Sequence, residues 1–180
     1  SPKSLASDVL SIVEQDSEKS HPKIQLPKDI YINSHQNSSS VILTEQLNVD
    51  ELYERQNTWL DNQWNAQSII DGGTIEGILG QEVRSPSDQS DIVGHVLFIN
   101  QTQLEKSIVS AKNAFNADVI DSESILKSLE RAAELYEENQ YELMALAMRE
   151  AGKTYQDATD EVREAVDFLR YYANLSRKVI

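Results

Sequence analysis

Glu150-Ala151-Gly152-Lys153-Thr154, then Asp157-Ala158, then Glu161-Val162-Arg163-Glu164-Ala165-Val166-Asp167-Phe168-Leu169-Arg170-Tyr171-Tyr172-Ala173, is the part of the chain with the clearest local grammar. Gly152 reads as the residue just past a helix end, where a left-handed backbone favours glycine. Thr154, with Asp157 three residues on, reads as the N-cap of the next helix. In that helix Ala158, Val162, Ala165, Leu169 and Tyr172 are spaced 4, 3, 4, 3, which predicts one continuous buried stripe. Ala151-Gly152-Lys153-Thr154 superficially resembles a phosphate loop, but the earlier glycine and the preceding strand are missing. A helix stop followed by a helix start accounts for it better.

Upstream, the same punctuation recurs. Asn139 with Glu142 opens a helix with Tyr141, Met144, Ala145 and Met148 facing inward. Asp121 or Ser122 caps another, whose apolar face is Ile125, Leu129, Ala132, Ala133 and Tyr136. Thr102-Gln103-Leu104-Glu105 has the form of a capping box and opens a helix with Leu104, Ile108, Ala111 and Phe115 on one side. Residues 101–177 therefore predict four helices.

Residues 67–99 change texture. Ser68-Ile69-Ile70 ends at the turn Asp71-Gly72-Gly73, Gln81 to Ser85 ends at Pro86, and Ile92 to Ile99 is rich in β-formers. They predict a small antiparallel β-meander of two or three strands. Gly94 inside the last of them points to a bulge or a close backbone approach. Residues 1–66 are polar and irregular. Leu5, Val9, Ile12 and Val13 predict a short helix, Asp16 to Pro22 a linker, Ile24 to Tyr31 an extended segment, and Asp50 to Trp64 a helix with Leu52, Tyr53, Trp59 and Leu60 on its apolar side. So few apolar residues predict a strap lying on something else.

Composition narrows the chemistry. The 180 residues carry 16 Lys and Arg against 30 Asp and Glu, a net charge of −14 that argues against nucleic acid and anionic membrane as partners. There is no cysteine, hence no disulfide framework, thiolate metal site or cysteine nucleophile. No apolar run approaches the ~20 residues of a membrane span. Ser1-Pro2-Lys3-Ser4 has no apolar signal-peptide core and no initiating methionine, so the expectation is a cytoplasmic piece cut from a longer chain.

Few residues suggest a site. Residues 121–167 hold thirteen acids against five bases, and most read as solvated helix faces. Glu123–Lys127 and Arg163–Asp167 are spaced as i, i+4 ion pairs. Glu164 stands apart: it borders the predicted buried stripe one turn before Phe168. His21, His35 and His95 are scattered without a second ligand at helical spacing, so no metal site is expected. Read this way alone, the chain is an acidic, mostly helical piece without a catalytic set, and one reading of it is an adaptor that docks a partner through an exposed stripe.

The 150–173 motif resembles the aldehyde dehydrogenase segment of the bifunctional proline utilization A family. So do Arg131-Ala132-Ala133-Glu134-Leu135, Glu142-Leu143-Met144-Ala145-Leu146, and Trp64 with Gly72, Pro86, Val93-Gly94 and Val96. His21-Pro22-Lys23-Ile24, Leu26-Pro27, Asp29-Ile30-Tyr31 and Asn37-Ser38 are similar to the connector that follows that family's proline dehydrogenase barrel. His35 and Ser40 depart from it, standing where arginine and glycine are frequent. The resemblance implies an α/β parent: residues 1–66 as inter-domain connector, and 67–180 as the N-terminal portion of the NAD-binding domain. It implies an enzyme that oxidises proline with FAD and glutamate semialdehyde with NAD. The catalytic cysteine, the general-base glutamate and most of the dinucleotide site would lie downstream, so no catalytic or cofactor-binding residue is expected here. It implies that Glu164 faces the aldehyde tunnel with Phe168 as its apolar neighbour. The rest of the parent chain would be the partner, and helix faces left uncovered without it would favour self-association.

Overall fold

The computed structural model describes residues 23–31, 34–39, 43, 46–75, 77, 79–117 and 121–177. The predicted helix around Leu5 to Val13 and the linker at Asp16 to Pro22 lie outside them. Two compact units result, with the division between Asn37 and Ser38.

In the first unit, Pro27–Asp29 forms a single 3₁₀ turn. Asn37 donates its side-chain amide to the Pro27 carbonyl at 2.8 Å, and His35 stacks on Tyr31 with ring centres 5.2 Å apart.

The second unit contains helices α1 (Gln46–Asn57), α2 (Gln101–Asn116), α3 (Ser122–Glu138), α4 (Gln140–Ala151) and α5 (Tyr155–Ser176). Strands β1 (Trp64–Ile70), β2 (Gly73–Ile75), β3 (Leu79–Arg84) and β4 (Ile92–Phe98) form one sheet in the order β2-β1-β4-β3. The sheet corrects the predicted meander. It has four strands and is mixed: β1 pairs with β4 in parallel, while β1–β2 and β3–β4 are antiparallel. Gly94 supplies the close approach expected of it. A Cβ there would lie 2.0 Å from the Trp64 carbonyl oxygen, so only glycine lets β1 lie directly against β4. The irregularity in register falls instead at Val83/Arg84 of β3.

Caps explain where the helices begin and end. Thr154 Oγ1 accepts from the Asp157 amide at 3.2 Å, and Asp121 accepts from the amides of Glu123 and Ser124, both as predicted. Gly152 has φ 67° and ends α4 in the left-handed region. Two expected caps move. The capping box of α2 is Asn100 with Gln103, because the strand before it ends early enough for Asn100 to take the extended Ncap conformation. Asn139 makes no cap bond into α4; its side-chain amide donates to the Leu135 carbonyl, and Glu142 is drawn to Trp64 Nε1 at 2.9 Å.

Packing rotates the predicted faces slightly. On α5 the buried residues are Ala158, Thr159, Val162, Val166 and Ala173, whereas Tyr172 is exposed. On α3 they are Leu126 and Ala133. Ala133 and Ala173, both fully buried, let α3 and α5 approach closely along their most extensive interface. Beside it Leu52 of α1 joins Met144, Ala158 and Val162 in the core cluster, with Leu43 packed against it. The strap thus contributes a core residue. Glu123–Lys127 closes at 3.5 Å as expected. Arg163 pairs with Asp160 rather than with Asp167, which accepts from the Ser38 amide and hydroxyl instead.

Candidate functional site

Glu164 and Phe168 lie one turn apart on α5 and line the same open groove, with a volume of about 390 Å³. Tyr136 of α3 and Leu143 and Ala147 of α4 form the facing walls. Val162, on the buried side of α5, closes its base. Phe168 is half-exposed and tilts against Tyr172 at 5.9 Å, and Tyr172 meets Tyr171 edge-on at 5.2 Å. Glu164 and Phe168 thus share one wall of an apolar and aromatic groove whose lip carries two carboxylates, Glu161 and Glu164. Such a lip can orient a polar or cationic group entering the groove. Its lining contains no thiol, histidine or other strong nucleophile, so covalent chemistry is not supplied from these walls.

The walls are held by ion pairs that helical periodicity does not reveal. Arg170 grips Glu137 with two bonds, of 2.6 and 3.2 Å, tying α5 to α3. Glu137 also accepts from the Ser39 amide at 3.0 Å. Burial pushes the Glu137 carboxyl up, but the Arg170 hydrogen bond, the Ser39 amide and the Arg170 charge outweigh it and hold the group below the usual glutamate range. Two neighbouring carboxylates, Asp167 and Glu137, thereby hold two successive strap residues against two helices.

A second knot forms around Arg149. Its guanidinium makes a fork to both oxygens of Asp91, at 2.6 and 3.1 Å, donates to the Asn62 carbonyl, and lies over the Trp64 ring at 5.3 Å. With only 10% of the side chain exposed, Arg149 joins α4 to the starts of both central strands. Sequence reasoning missed it because all its partners are distant in the chain.

A dinucleotide cradle needs a glycine-rich turn leading from a strand into a helix. Among the described residues, the positive-φ glycines are Gly72, in the β1–β2 turn, and Gly152, between two helices. Neither joins a strand to a helix, so the described residues do not fit a dinucleotide phosphate.

Residues 77–180 match the model of the aldehyde dehydrogenase family. The chain belongs to that family. It is 35% identical to the bifunctional protein PutA of Klebsiella aerogenes, over 96% of this chain and 14% of that one. The structure of proline utilization A from Bdellovibrio bacteriovorus superposes with a TM-score of 0.74 at 20% identity, over 86% of this chain and 16% of that one. A 1-pyrroline-5-carboxylate dehydrogenase from Thermus, described with bound NAD, superposes with a TM-score of 0.69 at 24% identity, over 77% of this chain and 27% of that one. The chain spans 12% to 14% of the length of the curated PutA relatives it matches. This aldehyde dehydrogenase chain accordingly has the α/β parentage expected of it, and what it contains is mainly helical with a small sheet. No helix among the described residues is long and apolar enough to cross a membrane.

Proposed function

We propose that this chain is the stretch of a bifunctional proline-catabolic enzyme that leads from the inter-domain connector, residues 1–66, into the N-terminal portion of its glutamate semialdehyde dehydrogenase domain, residues 67–180. The observation that carries this is the extent of the likeness to PutA. It runs over 96% of the chain and so extends well upstream of residues 77–180, to which the aldehyde dehydrogenase model is confined. A stand-alone 1-pyrroline-5-carboxylate dehydrogenase of Bacillus licheniformis matches a smaller share, 67% of the chain.

In the complete enzyme, proline would be oxidised with FAD, the pyrroline-5-carboxylate hydrolysed, and the resulting semialdehyde oxidised to glutamate. NAD would accept the hydride in that last step. The part played by this chain is to shape the aldehyde's approach. Glu164 orients the polar end of the substrate, Phe168 supplies an apolar wall, and the Arg170–Glu137 pair keeps α5 and α3 in place behind them. The rest of the parent chain is the partner, and the setting is cytoplasmic.

The aldehyde step needs a thiolate to attack the carbonyl carbon before hydride leaves. With no cysteine, the chain by itself does not supply one. Incubated with glutamate semialdehyde and NAD, it should produce no NADH by absorbance. Measurable turnover by the 180-residue polypeptide would overturn the proposal, as would a reading frame that continues past Ile180 without a cysteine-bearing dehydrogenase segment.

A further inference from the structure

On α5, Arg163 is left incomplete. Its Nε is buried, and among the described residues it has no hydrogen-bond partner. Its ion pair to Asp160, made through Nη1, is loose at 3.6 Å and half in water. A buried donor left unmade costs free energy, and a guanidinium cannot shed its proton to escape that cost. The acceptor best placed for it is Asp167, four residues on and so on the same face of the helix. That carboxylate is engaged elsewhere. Oδ1 accepts from the Ser38 amide at 2.6 Å and Oδ2 from the Ser38 hydroxyl at 3.0 Å, and Ser38 is buried. The next amide, of Ser39, donates to Glu137 at 3.0 Å.

We propose that Asp167 is a two-position latch for the strap. In the docked position it holds Ser38 and leaves Arg163 Nε unsatisfied. In the released position it turns to Arg163, one turn away, and Ser38 goes to water. Each position satisfies one donor at the expense of the other, so the strap is held under competition. The docked position prevails in this structure because the aspartate accepts two bonds from Ser38 at once, one of them from a backbone amide that burial would otherwise leave unpaired. Arg163 narrows that margin. Glu137 offers no such alternative, because Arg170 grips it while it holds Ser39. Each member of the exchange stands one residue before a groove residue, Arg163 before Glu164 and Asp167 before Phe168. The latch therefore works on the ridge of α5 that adjoins the groove wall.

Hydrogen exchange of the Ser38 and Ser39 amides in the 180-residue chain tests this. Arg163→Met keeps a long stem and removes the guanidinium, so it takes away what the released position gains. Exchange at Ser38, and at Ser39 with it, should slow by about twofold to tenfold. Asp167→Ala removes the latch and should speed exchange at Ser38 by about tenfold or more. In that background Arg163→Met should change nothing, because Arg163 acts on the strap only through Asp167. Exchange that is unchanged or faster in Arg163→Met would overturn the latch and leave Nε to an acceptor from the remainder of a longer chain. An effect of Arg163→Met that persists without Asp167 would overturn it as well. So would a loss of folding in Arg163→Met, because a donor without a partner holds nothing together. These outcomes do not depend on the catalytic reading above, which stands or falls on turnover.

Discussion

Replacing Arg149 by alanine would leave the Asp91 carboxylate and the Asn62 carbonyl, both drawn to one guanidinium, without their donor. Removing one partner of a mostly buried pair is expected to cost about 3–5 kcal/mol. Chemical denaturation should read this as a lower midpoint, and Arg149→Lys should recover only part because lysine lacks the fork. Gly94→Ala should be equally severe. Its Cβ would enter the Trp64 carbonyl, and because backbone is the obstacle the cost should fall at or above the upper end of the usual overpacking range of about 1–3 kcal/mol; near-ultraviolet dichroism of Trp64 and the melting temperature would report it. In the complete enzyme, Glu164→Ala should raise KM for the aldehyde by about threefold to tenfold with a smaller change in kcat, the pattern of lost substrate orientation. An unchanged KM would remove Glu164 from the site.

Among the elements, α5 depends on its cap. Thr154 accepts the Asp157 amide, and Thr154→Ala should lower stability by about 1 kcal/mol, whereas Thr154→Ser should be nearly silent in the same melts. The α3–α5 pair makes stability respond to acid. Because the Glu137 carboxyl is held below its ordinary range in the folded chain, the unfolded chain takes up its proton first as pH falls. Its contribution is therefore complete above the ordinary glutamate value, near ~4.3, and is lost as pH drops through the lower folded value. Arg170→Met should move the acid-unfolding midpoint to higher pH. An unshifted midpoint would mean that the pair adds nothing to folding.

At the scale of the whole molecule, what was legible in the residues themselves is the local grammar. Gly152 and Thr154 place the break between α4 and α5, Asp121 starts α3, and the 3.6-residue periodicity finds four of the five helices, because caps and stripes depend on neighbours within one turn. The α1 helix and its buried Leu52 were also in reach, although its span lies earlier than the apolar residues suggested. The strand order was not. Short apolar runs look alike whether they pair with the next strand or with one beyond it, and the parallel β1–β4 ladder exists only because Gly94 admits Trp64 across the fold. Likewise Asp167 takes the Ser38 amide rather than Arg163, and Arg149 gathers segments 57 to 90 residues away, choices set by which chain segments the packed helices bring within reach. The sequence by itself thus determined the helices, the acidic surface and the absence of a thiol. The tertiary structure alone decided the sheet topology, the ion-pair knots and the walls, Tyr136, Leu143 and Ala147, that face Glu164 and Phe168 across the groove, because each depends on distances between residues that the covalent chain does not constrain.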